Sequence, residues 1–109
     1  MKFRTTAKAI RNGSTNAVSI GYCDAQNLLV NHEPIAYTCG IYGWNFDVYE
    51  VYGLTICTGY RGMVGRNAKN VREYERKASA ILSWENREDS YEVKHEKVEA
   101  LLKEFCEQA

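Results

Sequence analysis

The segment "GYRGMVGRNAKN", residues 59–70, concentrates residue types that bind anions. Its three glycines let the backbone come close to a phosphate, and Arg61 and Arg66 can donate paired, charge-assisted hydrogen bonds to phosphate oxygens. Asn67 and Asn70 offer amide groups to the polar edge of a base or a ribose. A loop that leaves a strand and opens a helix also presents backbone N–H groups and the positive end of the helix dipole. These features favour a phosphate-binding loop.

A plainer interpretation is that the glycines only turn the chain and the arginines are solvated. The spacing is not that of a P-loop, and the lysine followed by Ser or Thr is missing, so magnesium-assisted triphosphate hydrolysis has no support. Aromatic residues favour a ligand, because Trp44 and Tyr60 flank stretches rich in Gly and Asn, where a base could stack on an exposed ring. Arg4, in the basic N-terminal segment, is a further candidate for binding the ligand.

Catalytic and metal-binding motifs are missing from the sequence. There is no G-x-S-x-G or H-E-x-x-H motif, and the odd offset between Asp47 and Glu50 places them on opposite faces of a strand, which disfavours a shared acid–base role. The cysteines and histidines are widely separated in the chain: Cys23, Cys39, Cys57, Cys106, His32 and His95. Such spacing fits neither a zinc knuckle nor a redox motif, and favours cysteines that are small buried apolar groups. We therefore expect no enzyme activity, no cofactor and no metal.

Length and composition predict a single domain that spans residues 1–109. With the loop described above, it would be a ligand-binding domain. The chain is 45% hydrophobic and 26% charged, as in an ordinary soluble globule. Its apolar runs fall far short of the roughly 20 residues of a membrane span. The N-terminal stretch "MKFRTTAKAI" has no apolar centre and no cleavage site of a secretory signal behind it. We therefore expect a cytoplasmic protein that does not bind membranes.

The charges are distributed unevenly although their sum is zero. Zero net charge argues against a general nucleic-acid binder. Residues 60–77 contain six basic and two acidic residues, whereas the chain from residue 84 onward contains eight acidic and four basic ones. Residues 1–11 are also net basic, with four basic residues and no acid. This asymmetry suits a small anionic ligand better than a long polyanion.

The secondary-structure signals predict an α+β fold. Residues 35–61, rich in β-branched and aromatic residues and broken at "YGWN" and "YG", predict three strands of an antiparallel meander. Apolar residues on both sides of "FDVYEV" indicate that the sheet is covered, at least partly, on both faces. Ahead of the meander, a short apolar run at "AVSI" precedes a helix that we expect to begin near Asp24 and end before Pro34.

Two amphipathic helices are expected at the C-terminal end. "NVREYERKASAIL" spaces its apolar residues at helical intervals, and "SWENREDS" interrupts that pattern. "YEVKHEKVEALLKEFCEQA" forms the second helix, with Ser90 as its N-cap and an apolar stripe that more often packs on its own domain than on a partner. The predicted fold is therefore an antiparallel sheet packed with helices.

The order of "STNAVSIGYCDAQNLL", "YTCGIYGWNFDVYEV", "ICTGYRGMVG" and "REYERKA" resembles small phage and prophage proteins of the anti-Thoeris sponge family, Thoeris anti-defence protein type one. "YGWNFD" and "TGYR" are the most distinctive stretches, and the resemblance covers most of the chain. It implies a non-enzymatic, oligomeric protein of sheet and helices. Such a protein sequesters cyclic ADP-ribose isomers made by bacterial TIR-domain immune enzymes, and some members also hold cyclic di- or oligonucleotides.

The chemistry of that ligand matches the residues of the loop. A pyrophosphate suits Arg61 and Arg66, an adenine suits Tyr60 or Trp44, and base or ribose groups suit the two asparagines. Nanomolar sequestration needs about 12 kcal/mol, which is hard to reach with one exposed loop and favours burial between subunits of a dimer or higher oligomer.

Two other classes of function stay open at this point. The first is a protein-binding inhibitor of a bacterial defence system, of the anti-CRISPR kind, whose acidic C-terminal helix mimics nucleic acid or docks on a basic partner. The second is a small nucleotide-processing enzyme.

Overall fold

The structure, a computed structural model, describes residues 17–21, 23–41, 44–59 and 66–109. Within these ranges five strands and two helices follow one another along the chain. The elements are β1 Ala17–Gly21, β2 Ala36–Ile41, β3 Trp44–Val51, β4 Leu54–Gly59, β5 Arg66–Asn67, α1 Val71–Leu82, a 3₁₀ turn Trp84–Asn86, and α2 Tyr91–Gln108. The predicted α+β class, with two helices at the C-terminal end, is confirmed.

The strands form one mixed sheet in the order β2-β3-β4-β1-β5. Strands β2, β3 and β4 are the antiparallel meander predicted from the sequence. A two-residue turn joins β3 to β4, and both of its residues, Tyr52 and Gly53, have positive φ angles of 48° and 77°. Positive φ at both positions is the geometry of a type I′ hairpin turn.

The sequence predicted an antiparallel sheet, but the sheet is mixed, because β1 and β5 extend the meander with parallel pairs. Strand β1 pairs with β4 over its whole length, from Ala17 opposite Thr55 to Gly21 opposite Gly59. Strand β5 pairs in parallel with β1 on its other side. The short apolar run before the meander is therefore a strand inside the sheet.

The sequence predicted that the glycine-rich segment leads directly into a helix, and this prediction is wrong. Residues 66 and 67 form β5 before α1 begins at Val71, because their backbone pairs with Val18 and Ser19 of β1. The glycine-rich segment therefore connects two strands, β4 and β5, that lie on opposite sides of β1.

The helix predicted between Asp24 and Pro34 is wrong as a regular element. Residues 23–31 form a series of turns: the Leu29 N–H makes a helical i to i−4 bond to the Ala25 carbonyl at 3.0 Å, whereas Val30 and His32 bond to the carbonyls three residues earlier. A helix of that length is marginal without tertiary support. Here the tertiary contacts fix turns instead.

Helices α1 and α2 pack against each other and against one face of the sheet. Ser90 caps α2 as predicted, since its hydroxyl accepts a hydrogen bond from the Val93 N–H at 3.2 Å. The core on this side combines strand, turn and helix residues: Val18, Ile20, Leu28, Leu54, Ile56, Val71, Tyr74, Ala78, Val98, Leu102 and Phe105. Phe105 and Tyr74 meet edge to face, with ring centroids 5.7 Å apart.

The opposite face of the sheet is buried as well, which confirms that both faces are covered. Phe46, Val48 and Cys57 are each 1% exposed or less. The register places Val48 opposite Cys57 on this face and Tyr49 opposite Ile56 on the helix-packed face. Asp47 and Glu50 accordingly lie on opposite faces of β3, as strand alternation predicts.

Candidate functional site at the carboxyl end of the sheet

Several of the segments singled out in the sequence meet at one end of the sheet. Strands β1 and β4 are parallel and end side by side at Gly21 and Gly59. Strand β3 runs the opposite way, so Trp44, its first residue, lies at this same end. Ligands in sheets with parallel strands commonly bind outside their carboxyl ends. We call this region the carboxyl end of the sheet.

Helix α1 also begins at the carboxyl end of the sheet. The Ala68 N–H continues the pairing of β5 by donating to the Ser19 carbonyl at 3.2 Å. Two residues later Asn70 is the N-cap of α1, with a left-handed φ of 60° and no hydrogen bond from its side chain to the helix. The chain therefore leaves this end of the sheet at Gly59 and returns to it at Asn70.

A cavity of about 340 Å³ lies next to the end of β4, between the sheet and the turns of residues 23–31. Its volume falls within the range of small-molecule sites, roughly 300–1,000 Å³. Five of its lining residues are polar and three are apolar: Gln26, His32, Asp47, Tyr49, Thr58, Ala25, Leu29 and Val30. The wall thus combines hydrogen-bonding groups with an aromatic ring.

The sheet side of this cavity is built by strand register. Asp47 of β3 is opposite Thr58 of β4, and Tyr49 is two residues further along β3 on the same face. Burial, and then the negative charge of Asp47, raises the pKa of the Tyr49 hydroxyl. Tyr49 therefore stays protonated at neutral pH and can donate a hydrogen bond, while the Asp47 carboxylate can accept one from a hydroxyl or an amine.

The turns that cover this cavity are held by a carboxylate of α1. Glu75 accepts hydrogen bonds from the Asn27 N–H at 3.0 Å, the Asn27 side-chain amide at 2.8 Å and the Leu28 N–H at 3.0 Å. An acceptor for two successive backbone N–H groups replaces the carbonyl groups of the preceding helical turn. Glu75 thereby fixes the position of the cavity wall relative to α1.

Close packing near Gly21 brings a carboxylate to the start of α1. A Cβ atom at Gly21 would lie only 2.9 Å from an Asp24 oxygen, so the small residue permits this approach. Asp24 lies 3.8 Å from Arg72, in the first turn of α1. The Asp24 carboxylate thus supplies negative charge beside the helix N-terminus, which disfavours a second anion at that point.

The predicted binding residues fall partly outside the described ranges. Arg4, Tyr60 and Arg61 lie outside them, and for Trp44 and Arg66 only the backbone is described. Asn67 and Asn70 are both exposed. Neither lines the 340 Å³ cavity, since β1 separates Asn67 from β4 by two strand spacings, about 10 Å. These two asparagines are therefore not brought together with Asp47 and Tyr49.

A second polar cluster joins three segments of the chain around Glu99 of α2. Its carboxylate accepts hydrogen bonds from His32 at 2.7 Å, from the Tyr52 hydroxyl at 2.5 Å and from Asn31 at 3.2 Å. Burial opposes ionisation of Glu99, but these hydrogen bonds outweigh it and hold the pKa of the carboxyl below its usual value. The hydrogen bond to Glu99, with burial, raises the pKa of Tyr52 to about 12.

This cluster borders another cavity, of about 460 Å³, lined by Asn31, His32, Glu92, His95, Glu96 and Glu99. The Tyr91 ring lies against the His95 ring, with centroids 3.9 Å apart. Because its donors come from the turns and from the β3–β4 hairpin, Glu99 connects both to α2. We interpret the cluster as a structural tether.

The cysteines differ in their environments. Cys57 and Cys106 are buried and Cys23 is exposed, so the prediction of buried cysteines is wrong for Cys23. Burial raises the pKa of Cys57 to about 12.

Across the described ranges, no group of three or more His, Cys, Asp or Glu residues is placed to hold a metal ion. In that same part of the chain, no helix combines the length and apolarity needed to cross a membrane.

Sequence reasoning missed most of the cavity wall. It considered Asp47 only as a partner of Glu50, and gave no role to Gln26, Tyr49 or Thr58. The position of Thr58 in the sequence could have identified it as a candidate site residue. It lies two residues before Tyr60, and a residue at the end of a strand lies beside the loop that follows the strand.

No family model, no curated protein and no solved structure matches the chain.

Proposed function

We propose that this protein binds and sequesters a cyclic ADP-ribose isomer, a signal made by bacterial TIR-domain immune enzymes, without cleaving it. Phage or prophage origin and action in the cytoplasm of the infected host are part of the proposal, as is binding of related cyclic di- or oligonucleotides. The observation that carries it is the 340 Å³ cavity at the carboxyl end of the sheet, bordered by Thr58 immediately before the arginine- and glycine-rich segment.

We expect the cavity and the arginine- and glycine-rich segment to bind different parts of the ligand, because their charges differ. The Asp47 carboxylate repels phosphate but accepts hydrogen bonds from ribose hydroxyls, and the Gln26 amide can pair with the edge of a base. The pyrophosphate then belongs with Arg61 and Arg66, which can bind it through paired, charge-assisted hydrogen bonds. Adenine would stack on Tyr60 or Trp44, with Arg4 as a further polar contact.

Tight binding in such a site calls for additional enclosure. A nanomolar Kd corresponds to about 12 kcal/mol, and part of the interaction energy is lost to ordering of the ligand and the side chains. A second subunit that closes the site would supply contacts, so a homodimer or higher homo-oligomer forms part of the proposal.

Isothermal titration calorimetry with cyclic ADP-ribose isomers tests the proposal. Arg61→Ala removes a charge-assisted contact and should raise the Kd by about 10- to 100-fold. Asp47→Asn should weaken binding of the intact ligand through its ribose, and should leave binding of inorganic pyrophosphate unchanged. Lys103→Ala, which removes an exposed positive charge near the end of α2, is the matched control and should bind as the wild type does.

Heat release of the bound ligand separates sequestration from catalysis. After incubation and heat denaturation, chromatography should recover the cyclic ADP-ribose isomer intact and in stoichiometric amount. A new product would favour the nucleotide-processing enzyme, and the absence of any binding by every isomer tested would reject the proposed function.

A protein-binding inhibitor of a defence system is the second candidate. It is favoured by the exposed carboxylates of α2, among them Glu104 and Glu107. Charge reversal of these two residues should abolish inhibition if α2 docks on a basic partner, whereas Arg61→Ala should then have no effect. The opposite pattern supports sequestration of the nucleotide.

A further inference from the structure

Three polar side chains on the sheet side of the 340 Å³ cavity carry hydrogen-bonding groups that the fold itself does not use. Asp47, Tyr49 and Thr58 all line the cavity, and across the described ranges none of them makes a side-chain hydrogen bond to another residue. In that same part of the chain, no buried side-chain nitrogen or oxygen lacks a partner. The polar atoms of these three side chains are therefore accessible to a ligand.

Strand pairing fixes the relative positions of these three side chains. Asp47 of β3 is directly opposite Thr58 of β4, and side chains paired in this way start about 5 Å apart. Tyr49 follows on the same face of β3, roughly 7 Å along the strand from Asp47. A hydrogen bond between oxygens spans about 2.8 Å, so a small polar group among the three side chains can bond to two of them at once.

The donors and acceptors of this wall match hydroxyl groups better than they match ions. The Asp47 carboxylate only accepts hydrogen bonds, while Tyr49 keeps its proton at neutral pH, because burial and the Asp47 charge raise the pKa of its hydroxyl. A ligand ammonium group offers no acceptor for the Tyr49 hydrogen, and a phosphate offers no donor for Asp47. Neighbouring hydroxyl groups, which both donate and accept, satisfy both residues.

The charge of the cavity wall disfavours a phosphate at this position. No lysine or arginine is among the described residues that line the cavity. His32 also lines it, but its Nε2 atom lies 2.7 Å from Glu99, so positive charge on that ring is paired outside the cavity. A second anion beside Asp47 would therefore face like charge without compensation.

The turn side of the cavity adds apolar contacts and limits the size of the bound group. Ala25, Leu29 and Val30 line this side, and apolar walls with a few placed polar groups are typical of small-molecule sites. A volume of about 340 Å³ is near the lower limit of such sites, roughly 300 Å³. The cavity thus suits one part of a nucleotide, such as a sugar, rather than the whole molecule.

We propose that Asp47 is the specificity-determining residue of this cavity: it holds a ribose by its free 2′,3′-diol and rejects a ribose that carries a 2′-phosphate. The inference rests on the proposed function in one respect, namely that the ligand contains a ribose. It goes further by predicting which nucleotides the protein refuses. Dinucleotide-binding folds show the same chemical contrast, since an acidic side chain there bonds to the ribose 2′-hydroxyl and an arginine accommodates a 2′-phosphate.

Two monophosphates that differ only in the position of the phosphate test this selectivity. Adenosine 5′-monophosphate has a free 2′,3′-diol, whereas adenosine 2′-monophosphate has lost the 2′-hydroxyl at the same composition. In amide NMR titrations at millimolar concentration, the wild type should bind the 5′-monophosphate about 100-fold more tightly than the 2′-monophosphate. The amide signals of Asp47, Tyr49 and Thr58 should shift with it. The 2′-deoxy form of the 5′-monophosphate should bind about 10-fold more weakly, because one hydrogen bond to the carboxylate is lost.

A pair of variants on β3 assigns the selectivity to one carboxylate. Asp47→Asn keeps the shape of the side chain and removes its charge, so the preference for the 5′-monophosphate should fall from about 100-fold to below about 10-fold. Glu50→Gln is the matched control, because Glu50 is exposed on the opposite face of the same strand. It should keep the selectivity of the wild type. Circular dichroism verifies that both variants are folded, and the wild-type comparison needs no variant.

Three results overturn the assignment of Asp47. They are equal binding of the two monophosphates by the wild type, unchanged selectivity in Asp47→Asn, and absence of shifts at the cavity with the 5′-monophosphate. Titration with cyclic ADP-ribose isomers separates this inference from the proposed function. Binding of an isomer together with equal binding of both monophosphates refutes the assignment and leaves the function standing. Selective binding of the 5′-monophosphate without binding of any isomer supports the assignment and rejects the function.

Discussion

Replacing Glu99 by glutamine should destabilise the fold because one carboxylate holds three segments together. Glu99 accepts hydrogen bonds from His32, Tyr52 and Asn31, and its side chain is 28% exposed. Hydrogen bonds to a charged group contribute about 1.5–3 kcal/mol each, although contributions within one network are not additive. Glutamine keeps the shape but loses the charge and presents an N–H group to existing donors. We expect Glu99→Gln to lower the free energy of unfolding by about 2 kcal/mol.

Urea denaturation monitored by circular dichroism measures this loss, which corresponds to a Tm lower by about 8 °C for a domain of this size. Tyr52→Phe, measured alone and combined with Glu99→Gln, isolates the hydroxyl–carboxylate contact through a double-mutant cycle. The coupling should be clearly above zero, because Tyr52 donates directly to Glu99. A loss below about 0.5 kcal/mol, the level of an ordinary surface substitution, would refute the tether.

The pH dependence of the free energy of unfolding gives a second test of the tether formed by Glu99. The hydrogen bonds around Glu99 lower its pKa in the folded state, so the carboxylate stabilises the fold fully above its unfolded pKa of about 4.3. That stabilisation is lost as the pH falls through the lower, folded value. The stability difference between wild type and Glu99→Gln should therefore be largest near neutral pH and shrink below about pH 4. A difference that stays constant in acid would contradict this assignment.

Two further predictions concern the α2 cap and the cysteines. Ser90→Ala removes the acceptor for the Val93 N–H and should cost about 1 kcal/mol in thermal unfolding, whereas Ser90→Gly should cost only a few tenths; equal losses would argue against capping. Because burial raises the pKa of Cys57 to about 12, native protein at pH 8 should be alkylated at the exposed Cys23 and not at Cys57, as read by peptide mapping. Rapid alkylation of Cys57 without denaturant would contradict its burial.

Local patterns in the sequence were sufficient for the meander and for both C-terminal helices. Alternating apolar residues, the "YG" turn and the Ser90 cap are short-range signals, and the structure follows each of them. Five residues at "AVSIG", in contrast, fit a buried strand or part of a helix equally well. Their place between β4 and β5 depends on pairing with distant residues, which periodicity does not encode.

The turns of residues 23–31 show how a tertiary contact overrides a local signal. Asp24 as a cap and Pro34 as a terminator favour a helix. Glu75 instead binds the backbone of Asn27 and Leu28, 48 and 47 residues away in the sequence. The bond from His32 to Glu99 spans 67 residues. Contacts between residues so far apart in the chain cannot be predicted from local sequence patterns.

The candidate site was predictable only in part for the same reason. The arginine- and glycine-rich segment stands out by composition, and the backbone around Gly59 and Asn70 lies at the carboxyl end of the parallel strands, where ligands of such sheets commonly bind. The opposition of Asp47 to Thr58 follows from strand register. A strand-to-helix junction was expected, but β5 intervenes, because residues 66 and 67 pair with β1.

A two-dimensional amide NMR titration with cyclic ADP-ribose isomers tests the nucleotide-binding proposal most directly, because it locates the ligand. The proposed function predicts saturable shifts at Gln26, Asp47, Tyr49 and Thr58, with unchanged signals at Glu104. Shifts confined to the other cavity, at His95 and Glu96, or no shifts with any isomer, would contradict binding at the carboxyl end of the sheet.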